Sequence, residues 1–181
     1  EYKMKKTIAR LLLEVNAITL NPKQPFTFSS GILSPIYCDN RLLMSYPEKR
    51  EIIIKAFLEA LKNKDFDVIA GTATAGIPWA SWLSKELNKP MIYVRQELKS
   101  HGRKNLIEGN LIKGQKVIVI EDLISTGGSS IVTVEAIRNA GGIVNDCVAI
   151  FTYGLEKSIK QFKEARCNIE TLTNFETLVE I

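Results

Sequence analysis

The chain has 181 residues, 45% of them hydrophobic, and carries 24 basic against 20 acidic side chains for a net charge of +4. That length supports one well-buried domain with at most a small appendage. The charge is mild and forms no Lys/Arg stripe, so no nucleic-acid partner is expected. With no apolar run long enough to span a bilayer and no signal peptide in view, no membrane partner is expected either. Cys38, Cys147 and Cys167 are scattered and fit neither a zinc pattern nor a disulfide frame, which points to a reducing cytoplasm.

In chain order, Met4-Lys5-Lys6-Thr7 is followed by Ile8, Leu11, Leu12 and Val15 at helical spacing, which predicts a helix over 5–16. Residues 1–3 are expected to be a foreign leader, with Met4 the native start. A Pro-rich extended segment follows over 20–37. Ser45 stands three residues before Glu48, and Pro47 would fall in a first turn, so a capping box is expected to open the next helix at Ser45. The apolar face of that helix is Ile52, Ile53, Ala56, Phe57, Ala60 and Leu61. Strands are predicted over 68–71, 91–94, 117–120, 144–151 and 168–172. Helices are predicted over 77–88, from about 129 to the stop at Gly141-Gly142, over 156–166, and opening again after Asn174. Helices alternating with near-continuous apolar strands imply an α/β fold: a central, mostly parallel sheet with helices on both faces. The expected organisation is a single domain over 1–181, with a small N-terminal hood over about 1–43.

The most informative stretch is Val117-Ile118-Val119-Ile120-Glu121-Asp122-Leu123-Ile124-Ser125-Thr126-Gly127-Gly128-Ser129-Ser130. Four β-branched residues predict a strand buried on both faces, and two carboxylates are expected where it leaves the core. A loop of hydroxyls and glycines then enters a helix with Ile131, Val134, Ile137 and Ala140. The carboxyl end of a sheet strand is where α/β proteins bind ligands, and free N–H groups at a helix start favour phosphate. Carboxylates repel phosphate, so they suit sugar hydroxyls or a metal ion instead. A sugar phosphate satisfies both halves; a simple Gly-Gly turn is the plainer alternative. No Lys follows the glycines as in a Walker loop, and the Gly-x-Gly-x-x-Gly of dinucleotide folds is absent.

Three further segments bear on chemistry. Ala70-Gly71-Thr72-Ala73-Thr74-Ala75-Gly76-Ile77-Pro78 contains only small residues between strand and helix, so it is either a second anion loop or merely a tight connection. Residues 93–109 are polar, flanked by glycine and without an apolar period, and are expected to form one long loop of the kind that serves as a lid. Its Arg95, Lys99 and His101 are cations suited to screening a departing anion. The aromatic segment Phe26-Thr27-Phe28 through Tyr37 and Arg41 suits a hood over the sheet edge.

The string from Val117 to Ser130 resembles the phosphoribosyl-diphosphate (PRPP) signature of type I phosphoribosyltransferases. Within that family, Arg95-x-x-x-Lys99-x-His101-Gly102 followed by Asn105-x-Ile107-Glu108-Gly109 is similar to the catalytic loop of orotate phosphoribosyltransferases. The aromatic segment is similar to their orotate-side segment, and the likeness runs to about Glu176. The resemblance implies transfer of ribose 5-phosphate from PRPP to orotate, giving orotidine 5′-monophosphate and pyrophosphate in de novo UMP synthesis. It implies PRPP contacts from Arg95, Lys99, His101, Glu121, Asp122, Leu123, Ile124, Ser125, Thr126, Gly127, Gly128, Ser129, Thr72, Ala73 and Thr74. Lys99, His101 and Asp122 would be catalytic, with Ser125, Tyr37 and Arg41 on the orotate side. Mg²⁺ would be held mainly through PRPP, with Asp122 as a protein ligand at most, and a homodimer would share its active sites. Ser29, Ala75 and Gln96 stand where some members carry Lys, and Leu33 stands where a basic residue is frequent. Two rivals share the PRPP signature: a purine phosphoribosyltransferase, and a PRPP sensor that controls transcription. The first would lack the orotate-like loop, and the second would need a DNA-binding element for which no length remains.

Overall fold

A computed structural model describes residues 2–28, 30–97 and 105–181. Helix α1 (Tyr2–Glu14) starts earlier than its apolar spacing predicts and buries Ile8, Ala9, Leu11 and Leu12. It stops at Glu14, and Asn16 then takes a left-handed conformation (φ 56°). Strands β1 (Ile18–Leu20), β2 (Phe26–Thr27), β3 (Leu33–Ser34) and β4 (Ile36–Cys38) make two small antiparallel ladders, β1 with β4 and β2 with β3. These form the hood.

A 3-10 helix over Asn40–Ser45 precedes α2 (Pro47–Leu61). The capping box expected at Ser45 does not form. Ser45 ends the 3-10 helix, Tyr46 is the N-cap of α2, and no side chain caps it. The helix starts one residue later than the box requires, which leaves Ser45 outside it and Glu48 in its second position, out of capping-box register. Pro47 still opens the helix, where its missing N–H costs nothing.

The remaining elements alternate as expected: β5 (Val68–Thr72), α3 (Gly76–Leu87), β6 (Met91–Val94), β7 (Ile107–Glu108), β8 (Val117–Ile124), α4 (Gly128–Asn139), β9 (Asp146–Thr152), α5 (Glu156–Glu164), β10 (Asn168–Asn174) and α6 (Phe175–Val179). Two differ in substance from the prediction. Strand β8 continues through Glu121 and Asp122 to Ile124, because β9 pairs with it as far as Ile124–Thr152. The segment 93–109 is not loop throughout: Ile107–Glu108 returns as β7, antiparallel to β6.

The six-stranded sheet runs β10-β9-β8-β5-β6-β7, parallel except for β7. Its strands alternate between two cores. Ile69, Ile118, Ile120, Val148 and Ile150 pack with Leu12, Phe57 and Trp79 from α1, α2 and α3. Val68, Ala70, Val119, Cys147 and Ala149 pack on the other face with Val134, Ile137 and Phe162 from α4 and α5. Period-two alternation with both faces covered explains why these strands read as unbroken apolar runs. From β5 the chain moves outward to β6, then returns to β8 on the other side and proceeds to β9 and β10. The strand order therefore reverses between β5 and β8. Their carboxyl ends flank the crevice where such sheets bind ligands.

Candidate active site

Glu121 and Asp122 sit inside β8 with only 4% and 8% of their surfaces exposed. Fully burying an aliphatic side chain contributes about 1.5–3 kcal/mol, and Val117 to Ile120 supply four of them. That anchors the strand strongly enough to carry two carboxylates into a site where an ionised group costs several kcal/mol. Hydrogen bonds reduce the cost. Glu121 Oε1 accepts the Asp122 N–H at 3.1 Å, and Oε2 accepts from the hydroxyls of Ser129 and Ser130 at 3.4 and 3.3 Å. Burial, and next the adjacent Asp122 charge, push the Glu121 pKa well above the ordinary carboxylate value. Burial raises Asp122 as well, while Arg41 is close enough to favour its charge. Burial and mutual repulsion therefore push the pair towards its protonated form, while hydroxyl donors or a cation favour the ionised one.

Directly after β8, a cavity of about 260 Å³ is lined by Leu123, Ser125, Thr126, Gly127, Gly128 and Ser129, with Ser30 of the hood across from them. Gly127 is the N-cap of α4 with φ 88°, and no side chain caps the helix. The first N–H groups of α4 are therefore left for an anion. Helix α5 supports this loop from behind: a Cβ on Gly127 would meet Phe162 Cε2 at 3.1 Å.

Across the switch point, Ala73 and Thr74 bound a second cavity of about 400 Å³ with Ile77, Tyr93, Arg95, Gln96 and Glu97. The Ala73–Thr74 peptide is cis. Gly76 brings α3 hard against β8: a Cβ there would lie 2.6 Å from the Ile120 carbonyl oxygen. Only glycine permits that approach. Arg95 is 3.6 Å from Glu108 across the β6–β7 end, and Gln96 Nε2 is buried without a hydrogen-bond partner.

The hood closes the third side. Asn40 is buried (1% exposed) and donates from Nδ2 to the Asp122 carbonyl at 2.8 Å, while its Oδ1 accepts from Cys38 Sγ at 3.0 Å. The Cys38 N–H donates to the Tyr153 hydroxyl at 2.8 Å, and Tyr153 stacks against Phe28 with centroids 4.9 Å apart. Tyr37 is half-exposed and packs on Phe26. Arg41 is exposed and ion-paired with Asp39 at 2.7 Å, which favours its protonated form further.

Glu121 to Ser129, Ala73, Thr74 and Arg95 thus gather around the carboxyl ends of β5 and β8. Two residues of that set turn elsewhere: Ile124 is 1% exposed in the core, and the Thr72 hydroxyl points at Thr133, so main-chain atoms are what these positions offer a ligand. Lys99 and His101 lie outside the described residues, as does Ser29. Sequence reasoning missed Asn40, Tyr153 and Phe162, whose roles arise from contacts across 82, 115 and 35 residues and leave no local pattern. Among the described residues no cluster of three or more His, Cys, Asp or Glu is poised to hold a metal. The donor set, two adjacent carboxylates, fits a hard cation that takes most of its oxygens from a phosphorylated ligand and water.

Residues 45–177 match the model of the phosphoribosyl transferase domain family. Orotate phosphoribosyltransferase of Coxiella burnetii is 52% identical over 176 residues, covering 96% of this chain and 84% of that one. Among solved structures, orotate phosphoribosyltransferase from Aeropyrum pernix superposes with a TM-score of 0.84 at 28% identity, covering 96% of each chain. UMP synthase of Leishmania donovani superposes with a TM-score of 0.85 at 31% identity, covering 97% of this chain and 37% of that longer one. The chain belongs to the orotate phosphoribosyltransferases, within the phosphoribosyltransferase family.

Proposed function

We propose that the chain joins a ring nitrogen of orotate to C1 of PRPP, expelling pyrophosphate and forming orotidine 5′-monophosphate for UMP synthesis. The observation that carries this reading is the pair of small-residue loops, 73–76 and 125–129, on either side of a reversal in strand order, with two buried carboxylates beside them. A substrate with phosphate at both ends of a ribose matches that order of features. The names of its relatives supply the acceptor base.

In this reading Thr126 to Ser129 bind the 5′-phosphate through main-chain N–H groups and hydroxyls at the start of α4. Ala73 and Thr74 cradle the pyrophosphate. Glu121 and Asp122 accept from the ribose hydroxyls, and as they ionise their charge favours a cationic, oxocarbenium-like ring. Ser125, Tyr37 and Arg41 serve the orotate side, with Arg41 exchanging Asp39 for the orotate carboxylate in a two-pronged contact. Mg²⁺, bound mainly through PRPP, supplies charge neutralisation on the leaving group. Arg95, Lys99 and His101 screen the departing pyrophosphate, and the working unit is a cytoplasmic homodimer that shares its active sites.

The test is loss of orotate absorbance when purified protein is mixed with orotate, PRPP and Mg²⁺, with hypoxanthine and uracil run in parallel. PRPP-dependent consumption of orotate alone is expected. Turnover of hypoxanthine instead would replace orotate as acceptor, and tight PRPP binding with no turnover would convert the reading to a sensor.

A further inference from the structure

We infer that Thr133, on α4, is a positioning residue that sets the spacing between the two anion loops and thereby matches the site to a ligand phosphorylated at both ends. This rests on the PRPP reading above. The ladder between β5 and β8 has its last rung at Gly71–Ile120. Beyond that point β5 stays with β6 through Thr72–Val94 and β8 stays with β9 through Ile124–Thr152, so no main-chain pairing joins the two strands where their loops begin.

Side chains take over there. The Thr72 hydroxyl lies 3.1 Å from that of Thr133, and Thr133 Oγ1 donates to the Ser129 carbonyl at 3.1 Å. Each hydroxyl has one proton. Since Thr133 gives its proton to Ser129, it must accept from Thr72, and the chain of bonds runs in one direction from the first loop to the second. Both residues are buried, at 1% and 0% exposure, so no water competes. A helical threonine bonding back to the carbonyl four residues earlier is ordinary and explains only the second bond. It does not explain why the last residue of β5 aims its hydroxyl at α4. The Ser129 held in this way also donates to Glu121, so the same linkage reaches the carboxylate pair.

Each phosphate taken alone needs only its own loop. A ligand that touches both needs their separation as well. The experiment is therefore a comparison of dissociation constants for PRPP, ribose 5-phosphate and inorganic pyrophosphate, each with Mg²⁺, for the native protein, Thr133→Val and Thr133→Ser. Thr133→Val loses both of its bonds, but only the one from Thr72 joins the two loops; losing that one predicts PRPP binding weakened about fivefold, with the two single-ended ligands unchanged within about twofold. Thr133→Ser restores the hydroxyl and should restore PRPP affinity. Should Thr133→Val not fold, Thr72→Val removes the same bond from the other side and must show the same selectivity. Equal weakening for all three ligands would mean a purely structural role, and unchanged PRPP affinity would mean no role; either overturns the inference. A native protein that does not bind PRPP at all would overturn the functional reading and this inference with it.

Discussion

Asn40 and Asp122 are 82 residues apart in sequence and joined by a 2.8 Å hydrogen bond from the Asn40 amide to the Asp122 main-chain oxygen. The hood is thereby fastened to the residue that carries half of the carboxylate pair. Asn40→Ala leaves that buried carbonyl without this donor, and the expected loss is about 1–3 kcal/mol of stability. Because the hood bears Tyr37 and Arg41, KM for orotate should rise more than KM for PRPP. Denaturant midpoints and the two KM values check both halves; an equal rise in the two would assign Asn40 to general stability.

Gly127→Ala should damage the proposed phosphate loop specifically. At φ 88° a non-glycine residue is strained by roughly 1–2 kcal/mol, and its methyl would press on Phe162 at 3.1 Å. The loop must move away from α5, so PRPP affinity falls about tenfold or more if two such costs are borne by the bound geometry. The circular dichroism spectrum and orotate affinity should stay near native.

The carboxylate pair makes both stability and binding depend on pH. Burial first, and Asp122 second, raise the folded pKa of Glu121 well above its ordinary 4.5. Between the unfolded and the folded value the native protein binds more protons than the unfolded chain, so its stability falls as pH rises through that window and is fully present below it. Ribose hydroxyls and Mg²⁺ favour the ionised pair. PRPP binding should accordingly release protons and tighten with rising pH over the same interval. Calorimetry in two buffers of different ionisation enthalpy reads the release, which Glu121→Gln should largely abolish.

Two inactive variants should repair each other if active sites are shared between protomers. Lys99→Ala should depress turnover far more than PRPP affinity, since its contact strengthens as pyrophosphate departs. Mixed with Asp122→Asn, it can form a dimer in which one site has both residues intact. Recovery of activity on mixing is expected, and strict additivity of the two residual rates would argue against a shared site.

The Glu121–Ser130 half of the candidate site was legible in sequence because it is local. Glu121 through Ser130 are consecutive, and the change from a period of two to a period of 3.6 marks where strand gives way to helix. The end of β8 was less legible. Carboxylates normally signal departure from a core, yet pairing with β9 carries this strand past both of them. The start of α2 misled for a similar reason: Ser45 and Glu48 have capping-box spacing, but the preceding 3-10 helix had already claimed the turn. Strand β7 has only two residues, and nothing in Ile107–Glu108 announces it without β6 alongside. The hood's attachments, and the bond between Thr72 and Thr133, are tertiary facts with no periodicity to betray them.

The strands β1 to β4 pair only among themselves and share no rung with the six-stranded sheet. Hydrogen bonds from Cys38 to Tyr153, and from Asn40 just after β4 to Asp122, fasten the hood to it. In the proposed reading the hood is the base-facing wall and a module apart from the sheet: a grafted segment that reproduced those two attachment points and the apolar underside of Ile36 and Cys38 would meet an unchanged floor. On that reading, altering which base is accepted should be a matter of exchanging one contiguous stretch of chain, while the close approach of Gly76 to Ile120 holds helix and sheet beneath it in place.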